Sequence, residues 1–236
     1  LRQILAQSRI FGDAGAPRFT HQLLADNTEG LVALSGCRHG EVARRLLAGD
    51  REGATDAARR LAKLFGDDFY LELQHHLLPD DDWLVGETVA LAAEVGLPLV
   101  VTNDAYYARP EDRELQDVLV CIRHGKTLEE SAHLRRPNGE YYLKSAAELA
   151  ELPPTSGALG EQVARGWSEG MRTAGEVAGR CSVDFDFEQY RFPGFPVPVE
   201  ETAFSYLETL CHEGMRRRYI PLRPAVVKQL AHELEV

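Results

Sequence analysis

The sequence predicts an α/β protein built around a parallel sheet, and three observations lead to that prediction. Short apolar runs have the length of buried strands, and each is followed by a longer stretch with helical periodicity. Strands that alternate with helices at this spacing are typical of βα units. The chain contains neither a GxGxxG turn after its first strand nor a Walker pattern, which favours a closed or nearly closed barrel over a dinucleotide-binding fold.

The elements of this prediction follow one another along the first 125 residues. The predicted strands are GLVALSG (30–36), FYLELQ (69–74) and LPLVVTN (97–103). The predicted helices are EVARRLLAG (41–49), ATDAARRLAKLFG (54–66), WLVGETVALAAEVG (83–96) and EDRELQDVLVCIRHG (111–125). Each of these helical stretches ends in a glycine, a common residue after the last helical turn. A turn at residues 137–139 should be followed by a strand that contains Tyr141 and Tyr142.

The pattern changes after residue 150, where a loop-rich break covers LPPTSGALG (152–160). A helix is predicted over 162–181, an extended proline-rich connector over 191–198 and a helix over 201–219, followed by the start of another helix. We therefore expect a first domain over residues 1–155 and a second segment over 156–236. Because the chain begins at Leu1 and stops within an apolar-periodic segment, we expect a piece of a longer protein.

Composition and charge narrow the class of protein. The net charge of −11 over 236 residues argues against a whole surface that binds nucleic acid, although a local basic patch stays possible. No apolar run approaches the length of about 20 residues that a membrane span requires. The four cysteines, Cys37, Cys121, Cys181 and Cys211, lie far apart without CxxC spacing. We expect reduced thiols in a cytoplasmic protein.

Chemistry-bearing residues follow the three predicted strands. Functional groups of parallel barrels lie at the carboxyl ends of the strands, where this sequence has Cys37, the pair His75–His76, and Asp104. Strand alternation places His76 on the polar face with Glu72 and Gln74. A thiol, an imidazole and a carboxylate could hold zinc or another transition metal. The alternative is structural: a small buried cysteine after a glycine, and an aspartate that caps a turn.

A basic cluster, Arg216, Arg217 and Arg218, ends the helix predicted at 201–219. Basic residues in the last turn are favoured by the helix dipole, so a solvated helix end explains them. Contact with DNA phosphates is the alternative.

The longest distinctive segments of the chain are GLVALSGCRHGEVARRLLAGD, FYLELQHHLLPDDDWL and LPLVVTNDAYYARPEDRELQDVLVCIRHGKTL, and a shorter one is NGEYYLKS. These four segments resemble the PHP domain of bacterial C-family DNA polymerases, the family of the DNA polymerase III alpha subunit. YRFPGFPVP and SYLETLCHEGMRRRY resemble the connector into the polymerase module. CRHGEV, LQHHLLPDDDW and CIRHG are most similar to the error-prone branch. The resemblance implies a distorted, partial (β/α) barrel over 1–155, followed by a mainly helical start of the palm and thumb region over 156–236.

The resemblance also assigns site residues. Cys37, His76 and Asp104 match positions that hold PHP metal, zinc or manganese, while Leu77 replaces a glycine that often follows the histidine. The family pattern Thr-Asn-Asp-x-His-Tyr reads Thr102-Asn103-Asp104-Ala105-Tyr106-Tyr107 here, so Tyr106 stands at a histidine position. A phenol, protonated at neutral pH, is a poor ligand compared with imidazole. We therefore expect a remnant metal site in a degenerate, mainly structural PHP domain.

For the whole polymerase the resemblance implies nucleotidyl transfer with Mg²⁺, on a DNA primer-template with dNTPs, in DNA replication, damage tolerance and repair. A sliding clamp and accessory translesion factors are possible partners. The palm carboxylates are expected outside this chain, so no catalytic residue is named. Two alternatives stay open: an active metal-dependent PHP phosphoesterase or proofreading exonuclease, and a purely structural module.

Overall fold

The computed structural model describes residues 2–11, 18, 20–153, 160–182 and 194–235 of the chain. These residues fall into two compact units, Leu1–Ser182 and Val183–Val236, which we describe separately. Within the described residues, no helix is both long enough and apolar enough to span a membrane.

The first unit contains a parallel sheet of three strands in the order β1 (Ala33–Leu34), β2 (Phe69–Leu73) and β3 (Leu99–Val101). Ala33 pairs with Phe69, and Leu71 pairs with Leu99. The strands predicted over 30–36, 69–74 and 97–103 are therefore confirmed, although each is shorter than its apolar run. The strand predicted at Tyr141 and Tyr142 is wrong: Tyr142 forms only an isolated bridge with Tyr107. The sheet is open in the described part of the chain, where no closed barrel is formed.

Helices surround this sheet and account for most of the unit. In chain order they are α1 (Arg2–Phe11), α2 (His21–Ala25), α3 (Glu41–Leu47), α4 (Arg51–Phe65), α5 (Asp81–Val95), α6 (Arg113–His124), α7 (Ala146–Ala150) and α8 (Gly160–Arg180). The predicted helices appear as α3, α4, α5, α6 and α8. Helices α1, α2 and α7 were not predicted; α2 and α7 have five residues each, too few to produce a periodic apolar pattern.

Two of the helix boundaries show why the sequence folds locally as it does. The Asp50 carboxylate accepts the backbone N–H of Gly53 at 2.9 Å and caps the start of α4. Gly96 ends α5 with a φ of 71°, a left-handed conformation that glycine adopts without a steric penalty. The chain then turns directly into β3, which brings this strand beside β2.

The core lies between the sheet and the helices, with Phe69, Leu71 and Leu73 of β2 almost fully buried. Helix α8 packs closely on β3. Gly170 lies so near the strand that an added Cβ atom would be 3.2 Å from the Val101 backbone nitrogen. Trp167 of α8 is buried, and its indole N–H donates to the Leu149 carbonyl at 2.9 Å. Helix α8 therefore belongs to the first compact unit. The expected boundary between the first domain and the second segment, at 155/156, stays a prediction.

The second unit contains α9 (Ala203–Arg218) and α10 (Pro224–Glu235). Both predicted helices are confirmed. Residues 194–198 have no regular secondary structure, in agreement with the predicted connector over 191–198. The other part of that connector, 191–193, and residues 154–159 of the predicted loop lie outside the described residues.

Candidate functional site

The carboxyl edge of the sheet brings together part of the set predicted from the sequence. Cys37 follows β1 and His76 follows β2, and both line one small cavity of about 30 Å³. Glu72 and Gln74 line the same cavity, beside His76. Asp104 follows β3 and is close enough to His76 to influence its pKa.

Hydrogen bonds between side chains tie the three strand ends to one another. The Gln74 amide donates to the Glu72 carboxylate at 3.0 Å and to the Thr102 hydroxyl at 2.9 Å, and Thr102 itself donates to Glu72. The Ser35 hydroxyl accepts the backbone N–H of Glu72 at 2.9 Å. Glu72 is thus held by neutral donors from its own strand and from the strand end beside it.

The two adjacent histidines have different environments. His75 is buried, its Nε2 lies 2.7 Å from an Asp82 oxygen, and its Nδ1 accepts the Leu77 N–H at 3.3 Å. Since Nδ1 is an acceptor, the bond to Asp82 is donated by Nε2–H. Both ring nitrogens of His75 therefore have partners.

His76 is also buried, but its ring is incompletely satisfied. It stacks on Tyr141 with ring centroids 4.2 Å apart, and its Nε2 has no hydrogen-bond partner among the described residues. Burial lowers the pKa of His76, although the Asp81 and Asp104 carboxylates oppose this change. The imidazole is therefore favoured in its neutral form, with an unpaired nitrogen.

Asp81, at the start of α5, shapes the loop that carries both histidines. Its carboxylate accepts the backbone N–H of His76 at 2.7 Å and that of Leu78 at 3.0 Å. Between them Leu77 has a φ of 56°, a left-handed conformation that favours glycine. Glycine would adopt this conformation without a steric penalty, which gives a physical reason for the glycine expected from the family pattern.

Asp104 is engaged by a cation from a distant loop. An Arg136 guanidinium nitrogen lies 3.3 Å from an Asp104 oxygen. The same guanidinium lies over the Tyr106 ring, 3.9 Å from its centroid, and 5.0 Å from the centroid of Tyr141. The backbone N–H of Tyr106 donates to the Tyr141 carbonyl at 2.7 Å, which holds the two tyrosine segments together. Tyr106, predicted at a ligand position, thus forms one wall of an arginine site.

These residues do not fit a bound metal ion. Across the described residues, no three His, Cys, Asp or Glu side chains are grouped closely enough to hold one. Asp104 is paired with Arg136, and Tyr106 presents its ring face to the guanidinium. The Nε2 of His76 and the Oδ1 of Asn103 are both buried without a hydrogen-bond partner among the described residues, as a prepared ligand atom would be. The assignment of Cys37, His76 and Asp104 as a remnant metal set stays a prediction.

Arg216, Arg217 and Arg218 form the exposed last turn of α9 in the second unit. Arg217 lies 3.7 Å from Glu213, one turn earlier, in an exposed ion pair. An ion pair of this kind contributes little to stability and leaves the arginines available to solvent.

Arg136 and Asp81 were not among the predicted site residues, yet they determine the geometry of the edge. The sequence signal for Asp81 is an acidic run before α5, a common feature of a helix start. The signal for Arg136 is weaker, an arginine pair just before the turn at 137–139. Neither signal gives the partner: Asp104 lies far from Arg136 along the chain, and Asp81 accepts from backbone N–H groups of the loop just before it.

Comparison with known proteins agrees with the fold. The PHP domain family matches residues 4–76, which include β1, β2 and the loop up to His76. The fold and this match define a PHP-containing α/β protein.

Over its full length the chain is 32% identical to the DNA polymerase III subunit alpha of Treponema pallidum (strain Nichols), and it covers 19% of that protein. The chain is also 33% identical over 100% of its length to the DNA polymerase III subunit alpha of Borreliella burgdorferi, and it covers 20% of that protein. A protein named error-prone DNA polymerase, from Symbiobacterium thermophilum, is 33% identical to 90% of the chain, and the chain covers 19% of that protein. The chain is similar over its full length to DNA polymerase III alpha subunits, and it spans about a fifth of the length of these relatives.

Proposed function

We propose that this chain is the PHP-to-polymerase segment of an error-prone DNA polymerase, and that its PHP part is degenerate and structural. The observation that supports the structural role is the engagement of Asp104 by Arg136, with Tyr106 as a wall of that contact. The error-prone assignment is supported by the relative of that name in Symbiobacterium thermophilum. Within this proposal, residues 1–155 belong to a partial PHP barrel and residues 156–236 lead into the palm and thumb region.

The proposed activity is that of the whole polymerase rather than of this segment alone. It is nucleotidyl transfer to a DNA primer-template from dNTPs, with Mg²⁺ held by palm carboxylates outside residues 1–236. Arg216, Arg217 and Arg218 would contact DNA phosphates as part of the polymerase module. The setting would be cytoplasmic, in DNA replication, damage tolerance and repair, with a sliding clamp and accessory translesion factors as partners.

Primer extension tests this proposal. The polymerase that carries this segment is assayed with Mg²⁺ and dNTPs on an undamaged template and on a template with one abasic site. Extension past the lesion is expected, without excision of a mismatched 3′ end by the PHP part. Absence of extension on both templates would refute the polymerase assignment, and a complete stop at the lesion would refute the error-prone assignment.

The unpaired, buried Nε2 of His76 favours a second candidate, a metal-dependent PHP phosphoesterase or proofreading exonuclease. This candidate predicts that the 236-residue chain, supplied with Mn²⁺ or Zn²⁺, releases phosphate from p-nitrophenyl phosphate or excises a 3′ nucleotide. It also predicts that His76→Phe abolishes the turnover. We expect no turnover in either assay, because Asp104 is already paired with a side-chain cation.

A further inference from the structure

Arg136 has the surroundings of a bound cation rather than of a surface arginine. Its side chain is 30% exposed and has an anionic partner in Asp104, at 3.3 Å. Two tyrosine rings face the guanidinium, Tyr106 at 3.9 Å and Tyr141 at 5.0 Å. A guanidinium over an aromatic face next to a carboxylate gains both cation–π and ionic stabilisation.

The aromatic contact extends from this cation to the remnant site. Tyr141 stacks on His76 and also meets Tyr106 edge-to-face, with the two tyrosine ring centroids 6.5 Å apart. The Asn138 amide, two residues after Arg136, donates to the His76 carbonyl. The loop that carries Arg136 is thus anchored to the strand end that carries His76.

Other carboxylates at this edge also have a cation supplied by the chain. Arg38 lies 3.5 Å from Asp81, and the Lys144 ammonium group, which is almost fully buried, lies 3.1 Å from Glu140. Together with Arg136 and Asp104 they form three ion pairs around the strand ends. Side-chain cations therefore neutralise these three carboxylates, whereas Glu72 is held by neutral donors.

We propose that Arg136 is the resident cation of this edge and that its guanidinium excludes divalent metal from the Asp104 position. This inference rests on the degenerate PHP role proposed above and adds the residue that enforces it. Its consequence is specific: restoring a histidine at position 106 is not sufficient for metal binding while Arg136 stays in place. A metal ion at Asp104 would meet a neighbouring positive charge that shares the same carboxylate.

The test compares Tyr106→His, Arg136→Met and the double variant of the 236-residue chain. Methionine keeps an unbranched apolar stem and removes the charge, so packing over the tyrosine rings is largely retained. Binding of Co²⁺ is followed by its visible absorption, and binding of Zn²⁺ by titration calorimetry. The double variant should bind both ions about tenfold more tightly than Tyr106→His alone. The unfolding temperature of the double variant should then rise with Zn²⁺ concentration.

Two controls separate loss of the resident cation from a general effect. Arg136→Lys in the Tyr106→His background keeps a positive charge, so it should bind Co²⁺ as weakly as Tyr106→His alone, even if the lysine variant is less stable. Arg172→Met in the same background removes an exposed arginine from α8, where it pairs with Glu176, and should leave Co²⁺ affinity unchanged.

The outcomes distinguish this inference from the proposed function. Equal Co²⁺ affinity of Tyr106→His and the double variant would overturn the role of Arg136 and leave a degenerate PHP domain in place. Stoichiometric, tight Co²⁺ binding by the unaltered chain would overturn the degenerate PHP domain itself. Weak binding by the unaltered chain and the single variants, with a gain only in the double variant, supports the inference.

Discussion

The packing of α8 on β3 gives a prediction that the structure makes quantitative. Gly170 faces the strand so closely that an added Cβ atom would lie 3.0 Å from a Val101 methyl group and 3.2 Å from the Val101 backbone nitrogen. Gly175, on the same helix, has open space at the equivalent position. Alanine at these two positions therefore makes the same change in helix propensity with opposite packing consequences.

The expected free energies of unfolding follow from two opposing terms. Glycine to alanine in a helix interior adds about 1 kcal/mol of stability through propensity alone. At Gly170 the methyl group must displace β3 or the helix, and overpacking of this kind costs about 2 kcal/mol. Gly170→Ala should therefore be destabilised by about 1 kcal/mol, whereas Gly175→Ala should be stabilised by about 1 kcal/mol.

Urea unfolding followed by tryptophan fluorescence measures this difference directly. Both tryptophans, Trp83 and Trp167, lie in the first compact unit, so the signal reports that unit and not α9 or α10. The two variants should differ by about 2 kcal/mol, the sum of their opposite changes. If Gly170→Ala is as stabilising as Gly175→Ala, α8 does not pack on β3 at this distance, and its place in the first unit is wrong.

Three further predictions concern the candidate site and the basic helix end. Leu77→Gly should leave the free energy of unfolding unchanged or raise it by about 0.5 kcal/mol. The reason is that relief of the left-handed conformation at this residue slightly exceeds the entropic cost of glycine. A decrease above about 1 kcal/mol in urea unfolding would contradict this. His76→Phe should flatten the fall in stability between about pH 7 and pH 5. The buried histidine has a lowered pKa, so the unfolded chain binds more protons below its ordinary pKa of 6.5, and stability is lost as the pH falls. The exposed His124→Phe serves as the control, and an unchanged slope in His76→Phe would refute the argument. Replacing residues 216–218 by glutamine in the polymerase should weaken primer-template binding and make it less sensitive to salt. The slope of log binding constant against log salt concentration should fall by about 0.9 for each DNA phosphate that the arginines no longer neutralise. An unchanged slope would show that these arginines do not contact DNA.

The order of strands and helices was predictable because local signals determine it. Apolar runs of strand length marked β1, β2 and β3, and glycines marked the ends of α4 and α5. The strands are shorter than predicted, since an apolar run continues beyond the residues that share backbone hydrogen bonds with a neighbour. Short helices were missed because one turn and a half does not establish a period.

The site was predictable in its position but only partly in its chemistry. Strand alternation correctly placed His76 beside Glu72 and Gln74, and the family pattern marked Tyr106 as a departure. The pairing of Arg136 with Asp104 joins residues that no local period relates, so only the tertiary structure reveals it. The partners of His75, the exposed Asp82 carboxylate and the Leu77 N–H, are close in sequence, but the strand pattern does not give the loop conformation that brings them to its ring.

The tyrosine at position 106 and the arginine at position 136 are best understood as one arrangement. A ring face 3.9 Å from the guanidinium attracts it, whereas a histidine at the same place would add a second group able to carry positive charge. Asp104, without a nearby cation, would be a half-buried carboxylate that lacks compensation. With Arg136 present, the carboxylate is neutralised, and the loops after β2 and β3 are joined through Tyr141 and His76. The edge can therefore keep its architecture without metal, because the chain itself supplies the charge that holds these loops together.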